Sequence, residues 1–147
     1  LANSEDGLGI VVNDYLQLVS SGTRRVESRQ VEVSEISRSL KTMALELGVP
    51  VIALSQLSRS AEKRESNQPM LADLRESGSL EQDADMVLFI NRKDYYEKAK
   101  DFNQKIVPAE LIIAKHRKGG LGTVNLLFEL NMSSFKSQLK AAGDENE

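Results

Sequence analysis

The sequence contains no cysteine, and only one histidine and three prolines, in 147 residues. Without cysteine there is no disulfide, no thiolate metal site and no cysteine nucleophile, and a reducing compartment is the natural setting. The lone histidine, His116, has no second histidine or cysteine at ligand spacing, so a surface role is expected for it rather than metal binding. An excess of positive charge is also missing. With 19 Lys and Arg against 22 Asp and Glu the net charge is −3, so any nucleic-acid contact must be local. No apolar run approaches the roughly 18 residues that would span a bilayer. The opening LANSEDGLG also lacks the basic-then-apolar order of a secretory leader. A chain without membrane contact, in the cytoplasm, is expected. Two further absences bear on chemistry. No G-x-x-x-x-G-K-[S/T] stretch occurs, so no loop of that kind cradles phosphates within these residues. The sequence also starts at Leu1, with a polar run leading directly into an apolar one, which suggests a piece of something longer.

What is present is ample for a core: 40% of the residues are apolar, enough for one domain or part of one. Residues 8–14, LGIVVND, read as a strand too uniformly apolar for a half-exposed sheet, which predicts a parallel sheet covered on both faces. From Val26 to Leu47 the apolar residues Val33, Ile36, Leu40, Met43, Ala44 and Leu47 recur at helical spacing, and Gly48 and Pro50 then stop the helix. VPVIALSQ (49–56) follows as a second buried strand, so strand, helix and strand form a crossover unit. Residues 57–83 lack a sustained period and read as a long loop, a kind that is usually functional or mobile. ADMVLFI (84–90) is a third buried strand, followed by a polar stretch to about Lys105. AELIIAKHR (109–117), KGGLG (118–122) and TVNLLFEL (123–130) predict a β-hairpin, and the final KSQLKAAGDENE reads as a frayed tail.

Four constellations can carry chemistry. Asp14 ends a buried strand, the edge where open α/β sheets bind ligands and where phosphate-loop NTPases hold magnesium; a carboxylate that merely caps a turn would look the same. Gln56 ends the second strand beside Ser55, where a neutral amide can sense a γ-phosphate or its attacking water without adding charge. In DLRESGSLEQDAD (73–85), Arg75, Glu76, Ser77 and Gly78 combine a guanidinium with small residues whose N–H groups can approach an anion. A solvated charged loop is the plainer alternative. In IIAKHRKGG, strand alternation places Lys115 and Arg117 on one face and His116 on the other. Such a pair can reach a phosphate or simply provide solubility.

Taken in order, DYLQL, RQVEVSEISRSLKTMALELGVPVIALSQLSR, PMLADLRESGSLEQDADMVLFINR and AELIIAKHRKGGLGTV resemble the C-terminal, RecA-like motor domain of the bacterial replicative DNA helicases of the DnaB family, over most of residues 7–128. The resemblance implies an α/β fold: a RecA-like P-loop NTPase core whose mostly parallel sheet is flanked by helices and followed by a C-terminal β-hairpin. It also implies an incomplete core, with the N-terminal half of the domain missing. Residues 1–136 would be the portion from the magnesium-binding strand onward, and 137–147 a flexible tail. The implied activity is that of a homo-hexamer that uses ATP and Mg2+ to translocate along single-stranded DNA during replication. Primase and a helicase loader are the implied partners, and the implied setting is the cytoplasm, at the nucleoid. By position, Asp14 matches the magnesium-binding aspartate and Gln56 the glutamine that couples nucleotide to DNA. Arg75, Glu76 and Gly78 match the DNA-binding loop. Lys115 and Arg117 match the pair that reaches a neighbour's nucleotide, with Arg117 as the finger.

Two residues depart from the family pattern: Asn13 replaces an apolar residue before the aspartate, and His116 replaces the usual neutral residue between the two cations. The phosphate loop and the catalytic glutamate of the family both lie outside the matched region, so this chain by itself is expected to be inactive. A RecA- or RadA-type recombination or repair ATPase is the alternative enzyme reading, and it predicts a KNRFG stretch that is absent. A non-catalytic ring-interaction module is the alternative of another class.

Overall fold

The computed structural model describes residues 7–19, 28–57, 68–92, 94 and 105–138, apart from the side chains of 75–78. It divides into two compact units, Leu1–Ser60 with Leu71–Ala84, and Ala61–Met70 with Asp85–Glu147.

The first unit is built on the predicted crossover. Strand β1 (Val11–Asn13) pairs parallel with β2 (Val51–Ala53), Val11 opposite Val51 and Asn13 opposite Ala53. The connection runs through helix α1 (Arg29–Leu47). Ser28 caps α1 by accepting from the Val31 N–H, and Gly48, at φ 64°, ends it in the left-handed conformation that glycine tolerates without strain. The predicted start near Val26 lies outside the described residues. Along the predicted face, Val33 and Ile36 are buried, Leu40, Met43 and Ala44 are half-buried, and Leu47 is exposed.

The stretch read as a loop over 57–83 holds more structure than its sequence suggested. Residues 58–67 lie outside the described residues, but Leu71–Ser77 forms a 3-10 turn and Gly78–Asp83 forms helix α2. Two polar contacts pin α2 to α1. The buried Ser37 hydroxyl donates to Asp83 Oδ2 at 2.7 Å, and Ser79 Oγ donates to Ser34 Oγ at 2.9 Å. Six residues are too few to show a helical period, and contacts of this kind are invisible in local sequence.

The second unit is a four-stranded antiparallel sheet in the order β3 (Met86–Asn91), β4 (Ile106–His116), β5 (Gly122–Glu129), β6 (Ser134–Ser137). The predicted hairpin is β4–β5. Phe89 on β3 and Val107 and Ala109 on β4 are the buried apolar residues of the sheet among those described. The buried Asn91 amide donates to Glu110 Oε2 directly across the strands, at 2.8 Å. The Arg92 guanidinium lies 4.3 Å over the Phe128 ring, which itself sits 4.7 Å from Phe135. Strand β6 takes in Lys136 and Ser137, where the sequence read as a tail; residues 139–147 lie outside the described residues.

Two expectations are met only in part. The chain mixes helices and sheets as an α/β reading requires, but its described strands do not make one mostly parallel sheet: β1–β2 is the parallel pair, and β3 joins β4 in antiparallel register. A continuous apolar run such as MVLFI carries no sign of direction, and strands that follow one another in sequence readily pair as antiparallel neighbours. Nor are the strands covered on both faces. Val12 and Ile52 are 58% and 50% exposed, and Met86, Leu88 and Ile90 form an exposed row on β3.

Candidate functional site

The C-terminal ends of β1 and β2 lie together because the pair is parallel. Past the last strand residues the ladder continues through two backbone bonds. Leu54 N–H donates to Asn13 O at 2.9 Å, and Leu16 N–H to Leu54 O at 2.8 Å. Asp14 leaves this edge as an exposed carboxylate, and Gln56 leaves the neighbouring strand, also exposed. Leu16, two residues past Asp14, is almost fully buried. The side-chain Oδ1 of Asn13 is buried with no hydrogen-bond partner among the described residues. Such an orphaned acceptor costs about 1–3 kcal/mol.

Gln17, a residue that sequence reasoning passed over, joins the two strand ends. Its Nε2 donates to Ser55 Oγ at 3.1 Å and to the Gln56 carbonyl at 3.2 Å, while its Oε1 accepts the Gln56 N–H at a longer 3.4 Å. Gln17 is itself held, since Arg29 at the start of α1 donates from Nη2 to its carbonyl at 2.8 Å and pairs through Nη1 with Glu32. The only local signal was an amide three residues beyond a strand-ending aspartate, and amides in turns are common.

Among the described residues no group of three or more His, Cys, Asp or Glu side chains could hold a metal. Asp14 is the carboxylate at this edge that could hold a cation, whose shell would otherwise be completed by water and phosphate oxygens. That donor set suits magnesium, which keeps several waters and uses few protein ligands, and it does not suit zinc.

Lys115 and Arg117 lie in the second unit, at the end of β4. The register steps from Leu88 opposite Ile113 to Val87 opposite Lys115, which leaves Ala114 as an extra residue, a β-bulge. The two cations still alternate onto one face as expected. The bulge, however, moves them from the face of Leu111 and Ile113 to that of Glu110 and Ile112. Arg117 lies across from Asp85. Its N–H donates to the Asp85 carbonyl at 2.9 Å, and its Nη1 pairs with Asp85 Oδ1 at 3.1 Å. His116, on the opposite face, folds over the turn, so that a Cβ built on Gly119 would meet its ring at 2.3 Å.

Arg75 and Glu76 fall on the 3-10 turn and Gly78 opens α2, on the segment pinned to α1; their side chains lie outside the described residues. Asp14, Gln56 and this segment belong to one unit, Lys115 and Arg117 to the other.

Comparison with known proteins supplies the family. The model of the DnaB-like helicase C-terminal domain matches residues 1–137. The replicative DNA helicase DnaB of Geobacillus stearothermophilus is 58% identical over 131 residues, and the replicative DNA helicase DnaC of Bacillus subtilis is 55% identical over 131 residues. The match takes in 89% of this chain and 28% of each of these relatives. Among solved structures, one ATPase domain superposes with a TM-score of 0.77 at 51% identity, covering 88% of this chain and 44% of that one. A DnaB-like replicative helicase, solved in a study of its interactions with primase, gives the same TM-score and identity over 88% of this chain and 31% of its own. The order of motifs, the crossover that brings Asp14 and Gln56 to one edge, and these matches agree: the chain belongs to the DnaB-like helicase C-terminal domain family.

Proposed function

We propose that the chain is the C-terminal portion of the motor domain of a replicative DNA helicase, a homo-hexamer that couples ATP hydrolysis to movement along single-stranded DNA and to unwinding. The observation that carries this reading is the pair Asp14 and Gln56, emerging at the same end of a parallel strand pair in a chain matched to a helicase family over residues 1–137. In the complete domain, β1 and β2 would belong to a RecA-like, mostly parallel core, with residues 1–136 as its later portion and the remainder as a tail. Family membership favours the helicase over a recombinase, and primase is a fitting partner because a related helicase has been solved with attention to that interaction. A loader and a cytoplasmic setting at the nucleoid follow from the same reading.

The residues divide the work. Asp14 would hold magnesium, which when bound screens the charge of the ATP phosphates. Gln56 senses the nucleotide and passes its state to the segment beyond β2. Arg75, Glu76 and Gly78 hold the DNA backbone, a contact that reads no bases. Lys115 and Arg117 reach toward the nucleotide of an adjacent subunit, where a guanidinium can stabilise the transferring phosphoryl group.

The test is made in a full-length helicase carrying this segment. Arg117→Ala should leave nucleotide binding and ring assembly intact and lower hydrolysis about 10³-fold or more, the range found for arginine fingers. Mixed with subunits lacking the phosphate-loop lysine, also inactive alone, it should recover part of the activity, because some interfaces then combine an intact loop with an intact Arg117. Exchange of subunits with no recovery at any ratio would count against action on a neighbour.

A further inference from the structure

We infer that Gln17 is a positioning residue for Gln56, its side-chain amide adding one more rung to the β1–β2 ladder and making the nucleotide-sensing strand end move with the strand that carries Asp14. The inference rests on the coupling role proposed for Gln56.

The geometry makes the case. Register pairing ends at Asn13 and Ala53, and two further backbone bonds carry the ladder to Leu16 and Leu54. Beyond that point the first chain turns away into the 3-10 turn Leu16–Leu18, so β1 has no backbone left to offer Gln56. The Gln17 side chain takes its place. A peptide group offers one N–H and one C=O, and a glutamine carboxamide offers the same C=O with two N–H donors. Gln17 presents Nε2 to the Gln56 carbonyl and Oε1 to the Gln56 N–H, the exchange that a paired strand residue would make. Its second Nε2 proton goes to Ser55 Oγ, so both donors are used. Both main-chain polar groups of Gln56 are then held by one side chain three residues from Asp14. The Gln17 backbone is fixed in turn by Arg29 on the first turn of α1.

The consequence is mechanical. An exposed strand end without a partner would fray, and the Gln56 side chain would lose its fixed origin. With the clamp in place, a shift of the Asp14 strand displaces Gln56 by a similar amount, and the segment that follows inherits the displacement. No residue of similar size reproduces this. A methionine side chain in place of Gln17 would lack both donors and the acceptor, and a glutamate would lack the donors and set a carboxylate against the Gln56 carbonyl.

The experiment measures ATP turnover of a full-length helicase carrying this segment, with and without saturating single-stranded DNA, and takes the ratio. Gln17→Met should lower the ratio about fivefold, roughly what one net hydrogen bond is worth, with ring assembly and thermal midpoint close to those of the parent. Should Gln17→Met fail to assemble, Gln17→Glu, which keeps size and polarity, serves instead with the same expected loss. In a Gln56→Ala background, Gln17→Met should add no further loss either to the ratio or to DNA-free turnover. A Gln17→Met ratio within about twofold of the parent would overturn the inference while leaving Gln56's role standing, provided Gln56→Ala itself loses stimulation. An added loss of DNA-free turnover in the double variant would also overturn it, since Gln17 would then act independently of Gln56. If Gln56→Ala keeps full stimulation, the coupling role fails and the positioning role with it.

Discussion

The parallel pair β1–β2 and the antiparallel sheet β3–β6 solve one problem, the pairing of apolar strands, with connections of very different reach. β1 meets β2 only after the chain has run through the 19 residues of α1, whereas β4 meets β5 across the short turn between His116 and Gly122. The distant pairing gains something the near one cannot: both strands point the same way, so Asp14 and Gln56 emerge at one edge. It also has a cost. Among the described residues the pair presents few rungs, and its row at Val12 and Ile52 is exposed while Leu16 is almost fully buried. The antiparallel sheet spreads its stability over three interfaces and depends instead on the geometry of its turns.

The sharpest way to break that contrast is Leu16→Ala. Leu16 is 1% exposed and its N–H carries one of the two bonds that extend the β1–β2 ladder. Truncating a buried leucine costs about 2–5 kcal/mol through lost burial and the cavity left behind. Urea denaturation of the chain should show a loss in that range. Amide exchange should show it first at Leu16 and Leu54, while the amides of β4 and β5 keep more of their protection. A cost below about 1 kcal/mol would mean that the parallel edge does not rest on Leu16 as described.

What the sequence made legible follows the same division. Gly48 announced the helix end because a left-handed terminus selects glycine, and KGGLG announced a hairpin because a glycine-rich break between two apolar runs marks a turn. Asp14, Gln56, Lys115 and Arg117 stood out because charge or amide chemistry at the end of an apolar run is conspicuous. The direction of β3 was not legible, since an all-apolar strand has no period to betray its partners. The bulge at Ala114 was hidden as well, because an extra residue in a ladder is defined by the strand opposite. Gln17 was overlooked for a related reason: its value comes from Ser55 and Gln56, which only the fold brings within reach.

A second perturbation tests the turn. A Cβ on Gly119 would strike the His116 ring, but that ring is the far end of a half-buried side chain that can turn aside. Gly119→Ala should therefore destabilise the chain by no more than about 1 kcal/mol in thermal or urea unfolding. The same change in a His116→Ala background should cost almost nothing, because the atoms it would strike are gone. Equal losses in both backgrounds would mean that Gly119 is required for its backbone conformation rather than for the space it leaves, and that His116 is a bystander.

The smallest effect is expected where the antiparallel sheet meets solvent. Arg117 and Asp85 are directly opposite and their side chains pair at 3.1 Å, with side-chain exposures of 48% and 63%. Water screens a pair this open, and exposed pairs contribute only about 0.2–1 kcal/mol. The backbone bond from Arg117 N–H to the Asp85 carbonyl does not involve either side chain, so Asp85→Ala should leave the register of the strand end unchanged. A double-mutant cycle of Asp85→Ala with Arg117→Ala, read by urea denaturation, should give a coupling below about 1 kcal/mol that shrinks further when salt is raised to screen the charges. A weak pair is what the role proposed for Arg117 would require, because whatever Asp85 gains by holding Arg117 would have to be given up for Arg117 to reach a phosphate. A coupling well above that, insensitive to salt, would show the guanidinium locked to its own strand. It would make Arg117 a structural residue of the antiparallel sheet instead of a group poised at its rim.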